Sequence, residues 1–98
     1  MNIRSVASEY IGHDVTVIKS TNHNNAGLKG RVIDETRNMM IIENGGRRLR
    51  IPKNGSTFMF NMDGSEEMID GRVITYTTPD RIKNAQKIIK TFKRRERE

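Results

Sequence analysis

Apolar and polar residues alternate through most of the first three quarters of the chain. Val15 and Val17 share one parity, Phe58, Phe60 and Met62 share another, and Leu49 and Ile51 interleave with Arg48 and Arg50. A period of two puts successive side chains on opposite faces of a strand. It predicts strands over 14–20, 29–35, 39–43, 47–53, 56–62, 66–69 and 72–77, with the guanidinium groups of Arg48 and Arg50 on the outer side. Met39-Met40-Ile41-Ile42 is apolar on both parities, as expected of a central strand covered on each face.

The gaps between these runs carry turn chemistry: Asn44-Gly45-Gly46, Asn54-Gly55, Asp63-Gly64 and Asp70-Gly71. Asn and Asp tolerate positive φ and Gly has no Cβ to clear, so each suits a tight hairpin. Short strands joined by hairpins predict a small all-β antiparallel barrel or sandwich over 14–77. Helical spacing replaces the alternation at both ends. Over 4–11, Val6, Tyr10 and Ile11 fall on one face, Ser5 can cap and Gly12 can stop the helix. Over 79–95, Thr78 is the expected N-cap, with Pro79 and Asp80 in the first turn. Ile82, Ala85, Ile89 and Phe92, with Ile88 beside them, form an apolar stripe, opposite Arg81, Lys83, Lys87, Lys90 and Lys93. The charged end, 93–98, is expected to fray.

A chain of 98 residues makes one domain with a modest core, and 34% of its residues are apolar. With no cysteine there is neither a disulfide framework nor a thiolate metal site. No apolar run approaches the roughly 18 residues of a membrane span, and the first residues, MNIRSVASEYIGHD, lack the apolar region of a signal peptide. A soluble cytoplasmic protein is expected. The formal charge of +6 is uneven: residues 79–98 hold eight Lys or Arg against three acids, while residues 1–78 hold ten against nine. A basic segment of that kind predicts a polyanionic partner, nucleic acid ahead of a membrane surface.

Side-chain catalysis finds little support. His13 and His23 stand ten apart without HExxH spacing, and nothing resembles a nucleophile elbow. Asp34-Glu35 ends a strand at a turn, and Asp63 and Asp70 are turn residues. Gly27-Leu28-Lys29-Gly30 lacks the GKS or GKT ending of a phosphate loop. The basic groups offer more, with two readings each. Arg47, Arg48, Arg50 and Lys53 either meet RNA or protect a sheet edge from pairing. The basic helix either meets a polyanion or is a solvated amphipathic helix docked on the sheet. Phe58, Phe60 and Phe92 belong to apolar faces, which leaves Tyr10 and Tyr76 as the available stacking rings. Single-strand binding by stacking uses several exposed rings, so structured RNA gripped through phosphates fits better.

The string Gly30-Arg31-Val32-Ile33-Asp34-Glu35-Thr36-Arg37-Asn38, then Ile51-Pro52-Lys53, Phe58 and Phe60, then Ile69-Asp70-Gly71-Arg72 and Pro79-Asp80-Arg81-Ile82-Lys83, resembles the archaeal ribonuclease P protein component 1 family. The resemblance spans roughly residues 10 to 84. Thr78 departs from it, standing where an Arg is common before the Pro. The family is homologous to the small subunit shared by eukaryotic ribonuclease P and its mitochondrial-RNA-processing relative. The resemblance implies a strongly bent, Sm-like antiparallel barrel with terminal helices that binds ribonuclease P RNA and cuts nothing itself. In the holoenzyme the RNA, with Mg²⁺, removes the 5′ leader of precursor tRNA. The implied protein partner is a small zinc-ribbon subunit, and the pair supports the RNA's specificity domain. No cofactor is expected on this chain, and alone it is expected to be a monomer. On this reading Lys29, Arg31, Arg47, Arg48, Arg50, Lys53 and Arg72 on the strands, with Arg81, Lys83, Lys87 and Lys90 on the helix, supply the RNA-binding surface. Val6, Tyr10 and Ile11 are the candidates for protein contact. The alternative is an Sm-like or SH3-like RNA-binding barrel of another ribonucleoprotein, ring-forming or ribosomal.

Overall fold

The computed structural model describes residues 3–97, with side chains described through Lys93. The elements run α1 (Ile3–Ala7), β1 (Asp14–Ser20), β2 (Lys29–Glu35), β3 (Met39–Asn44), β4 (Arg47–Pro52), β5 (Ser56–Met62), β6 (Ser65–Asp70), a 3-10 helix (Gly71–Ile74), α2 (Thr78–Lys83) and α3 (Ala85–Arg97). All strand pairs are antiparallel, in the order β4-β3-β2-β1-β5-β6. The fold is thus mostly β with flanking helices. The ladder is open: β4 and β6 are its edges, and the pairing does not close it into a barrel.

Cross-strand register builds the core in rows. Val17, Phe58 and Ile69 stand side by side, as do Val32, Ile42 and Leu49, and as do Glu35, Met40 and Ile51. All but Leu49 are buried, and Leu49 packs against the cluster. The hairpins use the expected residues. Gly45 and Gly46 join β3 to β4 and Asp63 and Gly64 join β5 to β6, all four at positive φ. Two-residue turns of that handedness match the twist of the strands they link.

One irregularity sets the site. Val32 pairs with Ile42 and Asp34 with Ile41, so Ile33 is an extra residue on β2. A bulge of this kind shifts the alternation by one. Val32 and Glu35 therefore face the same way, and that way is inward.

Three elements differ from the sequence expectation. The strand expected over 72–77 is replaced by the 3-10 helix. Gly71 lies against the turn after β4, where an added Cβ would overlap the Lys53 carbonyl oxygen; the requirement there is close approach, not a hairpin. Asp70 caps the new helix, its side chain accepting from the Arg72 N–H at 3.0 Å. The N-terminal helix ends at Ala7 rather than 11, because the chain turns back to bring Tyr10 inside, its hydroxyl donating to the Ser5 carbonyl at 2.8 Å. The single basic helix is two, broken at Asn84. Its N-cap is Thr77, one residue before the expected Thr78.

Gly71→Ala is expected to destabilise the fold by at least about 1–3 kcal/mol through overpacking, with roughly 4–8 °C lost per kcal/mol in a thermal melt. An unchanged melting temperature would show that the close approach is not needed.

Candidate functional site

The rotation of Glu35 into the core gives the structure its main polar feature. Its carboxylate accepts from Lys53 Nζ at 2.8 Å on Oε2, from Arg81 Nη2 at 2.8 Å on Oε1 and from Arg81 Nε at 3.1 Å on Oε2. The Thr78 hydroxyl donates to Oε1 at 2.9 Å. All three charged side chains are at 0% exposure. Lys53 spends its other protons on the carbonyls of Ile74 and Tyr76, at 2.9 and 3.0 Å. Arg81 Nη1 donates to the carbonyls of Val6 and Ser8. The guanidinium also lies 4.0 Å above the Tyr10 ring, which stacks on Phe60 at 4.1 Å. No buried side-chain N or O atom among the described residues lacks a partner.

Electrostatics follow the geometry. Desolvation alone would raise the Glu35 carboxyl, but hydrogen bonds and charge from Arg81 and Lys53 outweigh it and hold it below the usual carboxylate range. Tyr10 moves the other way: burial pushes its hydroxyl far above the usual tyrosine value, with Arg81 opposing.

Lys53 and Arg81 are therefore not part of an outer basic surface, where the sequence reading put them. The parity that buries Ile51 also buries Lys53, and Glu35 neutralises it there. Arg81 takes the inward side of α2 in place of Ile82, which is 42% exposed rather than part of the apolar stripe. Val6 and Tyr10, the candidates for protein contact, are likewise in this chain's own core, whereas Ile11 is exposed. Glu35, expected at a turn, faces inward because of the bulge at Ile33.

The other named cations are outside. Lys29, Arg31, Arg47, Arg48, Arg50, Arg72, Lys83, Lys87 and Lys90 are all exposed. Arg72 is held by Asp70, with Nη2 to Oδ2 at 2.9 Å. Register puts Arg31 between Asp14 and Glu43, and Glu43 beside Arg48, so a row of alternating charge crosses the outer face of β1 to β4. Arg48 and Arg50 line one hollow with Ile33, Asp34, Thr36 and Ile41. On α2 and α3, Lys83, Lys87 and Lys90 form no ion pair among the described residues. The charged side chains of 94–98 lie outside the described residues. No group of three His, Cys, Asp or Glu able to hold a metal occurs among the described residues, and no helix there is long and apolar enough to cross a membrane.

The class so defined is a small, mostly antiparallel β protein with a buried ion cluster and, among the described residues, exposed cations on both a sheet face and a helix face. The comparisons narrow the class. Residues 4–84 match the family model described as "Ribonuclease P/MRP, subunit p29". Ribonuclease P protein component 1 of Methanosarcina barkeri is 43% identical over 93 residues, covering 84% of each chain. The protein of that name from Methanocaldococcus jannaschii is 38% identical over 82 residues, covering 83% of this chain and 86% of its own. Among solved structures, one described as "Structure of Mth11: A homologue of human RNase P protein Rpp29" aligns with a TM-score of 0.59 at 38% identity, over 76% of this chain and 99% of that one. This chain belongs to the ribonuclease P/MRP p29 family, whose archaeal members are the ribonuclease P protein component 1 proteins.

Glu35→Ala is expected to cost about 3–5 kcal/mol in chemical denaturation, since it leaves two buried cations unpaired. The pH dependence has a definite sign. A carboxyl lowered in the fold contributes stability that is complete above its unfolded value of about 4.3 and is lost as pH falls through the lower folded value. Thermal melts should be flat above about pH 5 and fall below it, and Glu35→Gln should reduce that fall; an equally steep fall in the variant would exclude Glu35 as its source.

Proposed function

We propose that this protein is an RNA-binding, non-catalytic subunit of ribonuclease P. The observation that carries this reading is the division of its cations. Once Glu35 has taken Lys53 and Arg81, Lys83, Lys87 and Lys90 stand on an exposed helix face with no ion pair among the described residues, while Arg31 and Arg48 share the exposed sheet face with Asp14 and Glu43. Maintaining like charges so close together is unfavourable unless a polyanion relieves the repulsion. Folding a large RNA brings phosphate backbones together at a Coulombic cost, and fixed cations reduce it, so the RNA needs less Mg²⁺. The hydrolysis that frees the 5′ end of precursor tRNA belongs, on this account, to the RNA and its Mg²⁺.

The family membership supports placing the protein in that particle. We assign it to the specificity domain of the RNA, paired there with a small zinc-ribbon subunit, and we take its six-stranded antiparallel sheet to be a bent, Sm-like one. Ile3 and Ile11, each 43% exposed, are the apolar residues near the N-terminus left for such a partner. In isolation the chain is a cytoplasmic monomer, since Arg47, Arg48 and Arg50 along edge strand β4 oppose pairing with a second copy.

Charge reversal at Lys83, Lys87 and Lys90 together is the direct test, by titration of ribonuclease P RNA over a range of salt. Affinity should fall, the slope of log K against log salt should flatten by about 0.7–0.9 per lost contact, and the melting temperature should barely move. Unchanged affinity would contradict the proposal. Reversal at Arg81 should instead unfold the protein.

A further inference from the structure

The chain leaves the 3-10 helix through Tyr76, which is 36% exposed. Its backbone is tied down on both sides: the carbonyl accepts from Lys53 Nζ at 3.0 Å, and the N–H donates to the Ile74 carbonyl at 2.8 Å. The buried ion cluster thus fixes the residue that carries this surface ring. Beside it, Tyr76, Asn84, Lys87, Ile88 and Thr91 line a hollow. Ile88 is buried and supplies an apolar wall. Lys87 is exposed and has no ion-pair partner among the described residues. Asn84 donates its amide N–H to the Asp80 carbonyl at 2.8 Å, and its amide oxygen has no partner among the described residues.

We propose that this hollow takes one unstacked RNA base, stacked on Tyr76, with Lys87 on its phosphate and the Asn84 amide oxygen accepting from its edge. A base needs a flat partner held in place, a cation within reach of its backbone and a polar group at its rim, and these residues supply all three. Tyr10 is buried, so one ring is available and the site holds one flipped-out nucleotide rather than a run of them. The inference rests on the RNA-binding reading and deepens it: most of the grip is on phosphates, and this position recognises a break in a helix.

The chain has no Trp and its second tyrosine, Tyr10, is buried, so tyrosine emission can report on Tyr76. The probes are a ten-nucleotide oligoadenylate and a duplex RNA of the same length, titrated at low ionic strength. The single strand should quench emission and the duplex should leave it nearly unchanged. Tyr76→Ala should weaken single-strand binding on the order of ten- to a hundredfold with the salt slope unchanged, because no phosphate contact is lost. Tyr76→Trp should retain binding and show quenched Trp emission. Lys87→Gln should flatten the salt slope by about one contact. Wild-type affinity in Tyr76→Ala, with Lys87→Gln weakened, would overturn the base site alone and leave the hollow to a protein. Equal quenching by the duplex would overturn it as well. Failure of the wild type to bind either RNA would overturn the RNA-binding reading itself.

Discussion

A carboxylate buried between two cations is the constraint on which the rest of this structure depends. Taking Glu35, Lys53 and Arg81 out of water costs several kcal/mol per ion, and only full hydrogen bonding with good geometry offsets it. The chain meets that condition completely. Glu35 accepts from Lys53, Arg81 and Thr78, and the remaining donors of the two cations go to the carbonyls of Val6, Ser8, Ile74 and Tyr76. Segments far apart in sequence are thereby tied to one point: the N-terminal turn, the end of β2, the turn after β4, the loop before α2 and α2 itself.

The same constraint sorts the cations by task. Positions that look alike in sequence, Arg50 and Lys53 or Arg81 and Lys83, end on opposite sides of the surface. The inner two hold the fold, and the outer ones are exposed, the position that the RNA-binding proposal requires of them. Both sets come from one basic composition: Arg81 shares the inward face with Ala85 and Ile88, while Lys83, Lys87 and Lys90 are exposed. The buried Lys53 also holds the backbone of Tyr76, whose side chain is partly exposed.

Much of the sheet was legible in the alternation and the turns. Val15 and Val17 face inward as their parity requires, and the pairs Gly45-Gly46 and Asp63-Gly64 make the tight hairpins their residue types favour. Lys53 and Arg81 depart from expectation for one reason: each is a charged side chain on the buried face of its element. Lys53 continues the parity of Leu49 and Ile51, and Arg81 lies at i, i+4, i+7 and i+11 with Ala85, Ile88 and Phe92. Both spacings mark a buried face, which the charge of the residue masks. Glu35 is a different case. The bulge at Ile33 that turns it inward is a property of pairing between β2 and β3, and no local pattern contains it. Asp70-Gly71 has the composition of a hairpin, but packing against the Lys53 carbonyl decided its conformation.

The most direct test of this account is a double-mutant cycle between Glu35 and Arg81, using Glu35→Gln, Arg81→Met and the double variant in chemical denaturation. The account predicts a coupling of about 1–3 kcal/mol, with the double variant far more stable than the two single losses would sum to. Single losses that add to within about 0.3–0.5 kcal/mol would mean that the two residues do not act as a unit, and the central claim would fall.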